Sequence, residues 1–170
     1  MKWFGVSGSW RLSSEELNHD LLSSIDEIIR NGDGIVSGGA LGVDYLATER
    51  MLQVPNWQKR VKIIIPTSLK TWRKHYLKRA DEGVITHEQA RSVNELLEKI
   101  KTGNCLIEMN FDVLDKESYY ARNTEVVKEC DELLAFQVND SSGVQDTINK
   151  ARDLGKKVTL KKYYVEENAS

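Results

Sequence analysis

Three runs of small residues in this chain could bring backbone amides against an anion. They are Ser7-Gly8-Ser9-Trp10-Arg11, Ser37-Gly38-Gly39-Ala40-Leu41-Gly42-Val43-Asp44, and Asn139-Asp140-Ser141-Ser142-Gly143-Val144-Gln145-Asp146. Glycine and serine permit close approach, and a helix starting behind such a run adds about half a positive charge at its N-terminus. One run of this kind is what any tight strand-to-helix turn needs. Three at one sheet edge point to a phosphate-bearing or similarly anionic ligand. Gly38 and Gly39 would give close backbone approach, and Asp44 is suited either to fixing its turn or to accepting a ribose hydroxyl. Arg122, which by itself reads as an exposed helix arginine, could offer a bidentate fork for a phosphate, and Asn123 a donor and acceptor for a base or sugar.

These residues need elements to hold them. Short apolar runs alternate with longer amphipathic stretches, the pattern of βα units around a parallel sheet. Strands are expected at Trp3 to Ser7, Gly34 to Ser37, Val61 to Ile65, Glu132 to Phe136 and Lys157 to Leu160. The runs at 61–65 and 132–136 are nearly continuous in apolar residues, as strands covered on both faces must be. A first helix follows a Ser13/Glu16 capping box, with an apolar stripe of Leu17, Leu21, Leu22, Ile25, Ile28 and Ile29. Others are expected from about Gly42 to Gln53, after a Thr86/Gln89 box up to Gly103, from about Ser118 to Lys128, and from about Ser142, with Gln145 as box partner, to Leu154. The stretches 66–86 and 104–117 exceed ordinary connections and are read as extra secondary structure or functional loops. This gives an α/β fold: a three-layer, open parallel sheet of about five strands with helices on both faces. Residues 1–165 form one domain, and 166–170 a frayed tail.

Composition removes several classes. With 170 residues and 40% hydrophobic residues the chain is one ordinary soluble domain, and no window approaches the roughly 20 apolar residues of a membrane span. The first residues are too polar for a secretory signal, and two cysteines, Cys105 and Cys130, form neither a disulfide framework nor a zinc constellation. A cytoplasmic protein is expected, with no metal and no required cofactor. Lys+Arg number 24 and Asp+Glu 26, a formal charge of −2, so the molecule as a whole has no field for gripping nucleic acid. No G-x-x-x-x-G-K-[ST] motif is present. The near G-x-G-x-x-G at Ser37, Gly39 and Gly42 follows the wrong strand, without the ribose-binding acid of a dinucleotide dehydrogenase.

Ser37-Gly38-Gly39-Ala40 with Gly42-Val43-Asp44 resembles the S-G-G-A-x-G-[IV]-D signature of the DNA-processing protein A family. Tyr120-Ala121-Arg122-Asn123 followed by Cys130-Asp131 and Ala135-Phe136 is similar to the R-N … D … A-F block of the same superfamily. Ser142-Gly143-Val144 with Asp146-Thr147-Ile148 and Ala151 resembles its S-G-T-x-D-T-I-x-x-A turn. That superfamily, SLOG, joins the DNA-processing proteins to the lonely-guy phosphoribohydrolases. The resemblance runs from Val6 to Leu160 and implies a Rossmann-like domain binding a nucleotide or nucleotide-derived ligand, with dimers or higher homo-oligomers formed through exposed helix faces. It sets Gly8, Ser9, Arg11, Ser37, Gly38, Gly39, Gly42, Asp44, Arg122, Asn123, Ser142, Gly143 and Asp146 around the pocket.

There are departures. The phosphoribohydrolases carry P-G-G-x-G-T-x-x-E, and their catalytic glutamate position is Thr147 here, which cannot act as a carboxylate. Asp146, one residue away, is the candidate catalytic residue only with a shifted backbone. The segment from Lys59 to Arg79 is also distinctive, holding Lys59, Arg60, Lys62, Lys70, Arg73, Lys74, Lys78 and Arg79 with no acid, interleaved with Trp72, His75 and Tyr76. It reads as a solvated helix face, as a nucleic-acid track, or as a loop from which Trp72 and Arg73 close over the pocket. The leading expectation is a sensor or carrier-type module for a nucleotide-like ligand. The alternatives are an N-glycosidase acting on nucleoside monophosphates and a single-stranded DNA binder.

Overall fold

A computed structural model describes residues 1–167; the end of the expected tail, 168–170, lies outside the described residues. The sheet is parallel throughout and has six strands rather than about five. They are β1 (Trp3–Gly8), β2 (Gly34–Ser37), β3 (Val61–Ile65), β4 (Leu106–Glu108), β5 (Glu132–Val138) and β6 (Lys157–Tyr163), in the order β4-β3-β2-β1-β5-β6. The additional strand, β4, is a three-residue edge strand inside the stretch 104–117.

Six helices connect them: α1 (Glu15–Arg30), α2 (Val43–Met51), α3 (Leu69–Asp81), α4 (His87–Thr102), α5 (Lys116–Glu129) and α6 (Ser142–Asp153). From β1 the chain steps outward to β4, and right-handed crossovers in one direction leave α1 to α4 on one face. It then returns across the sheet to β5, so α5 and α6 cover the other face. The core divides accordingly. Leu17, Leu21, Ile25, Ile63, Ile65, Leu97 and Ile100 are buried on the first side, and Val127, Leu133, Ala135, Ile148 and Ala151 on the second. Alternation along Val61-Lys62-Ile63-Ile64-Ile65 sends Ile63 and Ile65 to one layer and Ile64 to the other, which is why that run is apolar nearly throughout.

Two helix starts differ from the sequence reading. The cap of α1 is Ser14, whose side chain accepts from Leu17 N at 3.1 Å, while Ser13 Oγ bonds Asn18 Oδ1 at 2.8 Å. The Ser13/Glu16 box is thus replaced by a cap one residue later. Helix α6 has no side-chain cap at all: Gln145, expected to complete a box, bonds Gln137 and Asn149 instead. The Thr86/Gln89 box of α4 is present, and α5 begins at Lys116 behind an Asp115/Ser118 box.

The order reverses between β1 and β5, and such a switch point opens a crevice at the carboxyl ends of the strands. The first and third small-residue runs leave from β1 and β5, and the second from β2 beside them.

Candidate functional site

A cleft of about 550 Å³ lies at this point, lined by residues following β1 and β5 and by side chains of α3 and α5. On the β1 side, Ser9 turns the chain, its Oγ accepting from Leu12 N at 2.9 Å and its carbonyl accepting from Val43 N at 2.9 Å. Gly8 is required because a Cβ would lie 2.5 Å from Val43 Cγ2. Gly8, Ser9 and Arg11 all line the cleft, and the exposed Arg11 stands 4.0 Å from the carboxylate of Glu167 at its mouth.

The glycine run after β2 has a different task from the one expected of it. Gly38 and Gly39 are buried and do not line the cleft; their carbonyls seat side chains that do. Arg122 Nη1 donates to Gly38 O, and Trp72 Nε1 donates to Gly39 O at 3.1 Å. Ser37 is fully buried, its hydroxyl donating to Val6 O at 3.2 Å. Gly42 has φ +81°, and a Cβ there would lie 2.3 Å from the carbonyl oxygen of Ser9. Asp44 lines the cleft but is buried, and its Oδ2 accepts from Ala40 N at 3.2 Å, so it holds the turn. Burial pushes its carboxyl up from the usual range, against the opposing pull of Arg122 and the hydrogen bonds to the turn.

Helix α5 supplies the charged centre. Arg122 Nε donates to Asn123 Oδ1 at 3.1 Å, and the guanidinium stands 5.9 Å from the centroid of the Tyr119 ring. Among the described residues no carboxylate forms an ion pair with it. Asn123 Nδ2 reaches Asp146 Oδ2 at 3.2 Å and Gly143 O at 3.4 Å. Asp146 itself does not line the cleft; it accepts from Lys150 Nζ at 2.8 Å, and Lys150 also donates to Tyr120 O at 2.6 Å. Thr147, at the place of the family's glutamate, is buried with its hydroxyl on Gly143 O at 3.2 Å. At the start of α6, Ser141, Gly143 and Val144 line the cleft, whereas Ser142 is exposed outside it.

Sequence reading missed most of the aromatic wall. Trp72, His75, Tyr76 and Arg79 from α3 line the cleft together with Trp10, Tyr119 and Tyr120. The 72, 76, 79 spacing is helical, a signal overlain by the lysines between. Trp72 belongs to a helix, not to a closing loop, and is 1% exposed; Arg73 turns away to pair with Glu98. Trp72 and His75 stack with centroids 5.9 Å apart, and His75 Nε2 lies 3.3 Å from the Tyr119 hydroxyl. Burial first, and the charge of Arg79 second, hold the His75 ring below its ordinary pKa. The Tyr76 hydroxyl accepts from Leu41 N at 3.0 Å, and burial pushes its phenol upward.

The basic stretch is not one track. Arg60 donates to the carbonyls of Ile28, Ile29 and Asp33 at the end of α1, and Lys62 to Glu129 at 2.9 Å. Both belong to the opposite end of the sheet from the cleft.

A scan against protein-family models finds no match, and a search of curated proteins finds none. Among solved structures, DNA processing protein A from Helicobacter pylori, described for its single-stranded DNA binding mode, aligns over 94% of this chain at 22% identity with TM-score 0.66. The chain shares its fold with the aligned part of that protein. The Streptococcus pneumoniae DNA processing protein A aligns over 93% at 19% identity and TM-score 0.51, and the structural-genomics target TM1055 over 93% at 16% and 0.59. This likeness is one of fold. The chain spans 64% of the Helicobacter protein and 58% of the Streptococcus one. Among the described residues no helix is long and apolar enough to cross a membrane.

Proposed function

We propose that the cleft binds a nucleotide or nucleotide-derived phosphate ligand, in a sensor or carrier-type module. The observation that carries this reading is Arg122, a cleft-lining cation fixed by Gly38 and Asn123, with the buried Asp44 carboxylate nearby but, among the described residues, no carboxylate within ion-pair distance of it. A guanidinium held in this way is organised for an anion before one arrives. The uncapped start of α6, with Gly143 and Val144 on the cleft wall, adds amides and a partial positive charge. Tyr119, Tyr120 and Trp10 supply flat apolar surface for a base, and about 550 Å³ lies within the usual range of small-ligand sites. Titration calorimetry against a panel of nucleoside mono-, di- and triphosphates, ADP-ribose and phosphoribosyl compounds tests it. Heat from at least one, abolished by Arg122→Ala, is expected; silence from all at millimolar concentration removes the reading.

A second reading is single-stranded DNA. The fold shared with the Helicobacter protein favours it, and rings beside Arg11, Arg79 and Arg122 suit stacked bases and phosphates. A gel-shift titration with oligothymidylate at low salt, repeated at rising salt, separates the two, since a phosphate-tracking site weakens steeply. N-glycosidic hydrolysis is less well supported, because the Asp146 carboxylate is engaged by Lys150 and Asn123 away from the cleft lining. Release of free base from nucleoside monophosphates, lost in Asp146→Asn, would reinstate it.

A further inference from the structure

The outer side of α3 carries a second groove, of about 410 Å³, between α3 and α4. Lys70, Arg73 and Lys74 from α3 and Lys101 from α4 stand over the aliphatic side chains of Leu69 and Leu77. The aromatic residues of the same helix, Trp72, His75 and Tyr76, belong to the cleft on its other side. Arg73 pairs with Glu98, and Lys101 with Glu108 at 3.2 Å; among the described residues Lys70 and Lys74 form no ion pair. Lys78 continues the row toward solvent, 3.9 Å from Glu82.

This arrangement works against the helix that carries it. Helix α3 has no acidic residue in its first turn, where Lys70 opposes the helix dipole. Lys70 and Lys74, four residues apart, set like charges side by side on one ridge, whereas Lys78 in the last turn is favoured by the dipole and lies near Glu82. Local preferences broken at the exposed Lys70 and Lys74 mark a surface kept for something else.

We propose that this groove docks an acidic amphipathic helix from a partner protein. Lys70 and Lys74, unpaired among the described residues, suit the partner's carboxylates, and Leu77, 47% exposed above the buried Leu69, suits an aliphatic side chain of its apolar stripe. A nucleic-acid strand fits less well, because single-strand grooves pair basic residues with aromatic rings for the bases, and no ring lines this side of α3. Exposed ion pairs are individually weak and screened by salt, so the complex is transient and salt-sensitive. The groove is independent of the ligand assigned to the cleft.

Fluorescence anisotropy of the full chain at low salt provides the test. The probes are a labelled synthetic helical peptide, with glutamates on one face and leucines on the other, and an oligothymidylate of equal charge. The peptide should bind, about tenfold or more weakly to the Lys70→Glu, Lys74→Glu double variant and several-fold more weakly to Leu77→Asn. Arg122→Ala should leave peptide affinity unchanged, which keeps this outcome separate from any failure of the cleft to bind nucleotides. Three results overturn the proposal: no peptide binding, binding indifferent to both groove variants, or tighter oligothymidylate binding that the charge reversal abolishes.

Discussion

Arg122 donates to the carbonyl oxygen of Gly38, a residue 84 positions earlier, so that a glycine of the β2 turn fixes the cation of the cleft. A Cβ on Gly38 would lie 2.3 Å from Arg122 Nη1 and 2.6 Å from its Cζ, so alanine there must evict the guanidinium. Gly38→Ala and Arg122→Gln are both expected to weaken nucleotide binding about tenfold or more, the scale of a hydrogen bond to a charged group. Calorimetry on folded variants checks this. Unchanged affinity in Gly38→Ala would show that the seat does not matter.

Gly42 and Gly143 should respond oppositely to alanine. Gly42 combines φ +81° with a carbonyl in the space of a Cβ, whereas Gly143 has nothing within 4 Å of that space. Gly42→Ala is expected to cost about 2–4 kcal/mol from backbone strain and overlap. Gly143→Ala should change stability by less than about 0.5 kcal/mol. Urea denaturation monitored by tryptophan fluorescence measures both.

The displaced cap of α1 makes a similar contrast between neighbours. Ser14 satisfies Leu17 N, while Ser13 bonds only the side chain of Asn18. Ser14→Ala should lose about 1 kcal/mol and Ser13→Ala much less. The reverse ranking in thermal melts would return the cap to Ser13.

His75 should give stability a pH dependence. Its folded pKa lies below 6.5 through burial and Arg79, so on acidification the unfolded chain takes up this proton first. Stability therefore falls as pH drops below 6.5, and this contribution levels off once the folded ring is also protonated. The stability of the native chain relative to His75→Gln should decline through that window. A difference that stays flat with pH would contradict the assignment.

The alternation of strands and helices was legible because buried parallel strands such as 61–65 and amphipathic helices such as α1 write their periods plainly. β4 was not, since Leu106-Ile107-Glu108 pairs on one side only, and three residues cannot display a period. Helix α3 was hidden for the opposite reason: its buried residues Leu69, Trp72, Tyr76 and Ala80 are correctly spaced but outnumbered by cations. In the cleft, Gly8, Ser9, Asp44, Arg122, Asn123 and Gly143 of the motif share one lining, while Gly38 and Gly39 stand behind it with their carbonyls seating Arg122 and Trp72. A glycine needed for close approach looks the same in sequence whether the approaching atom belongs to a ligand or to Arg122. One reading of the basic stretch sets Trp72 over the pocket that holds Arg122, but from a loop, not from a helix converging on α5.

That convergence joins two bodies. Trp72 and His75 ride with the α1–α4 layer and Tyr119 with the α5–α6 layer, and they meet at 6.0 Å between the Trp72 and Tyr119 centroids and 3.3 Å from His75 to the Tyr119 hydroxyl. The jaws of the cleft are thus anchored to opposite sides of the sheet. The width of the cleft is therefore set by how the two helix layers sit on one sheet, and a slide of either layer would change the gap between its jaws.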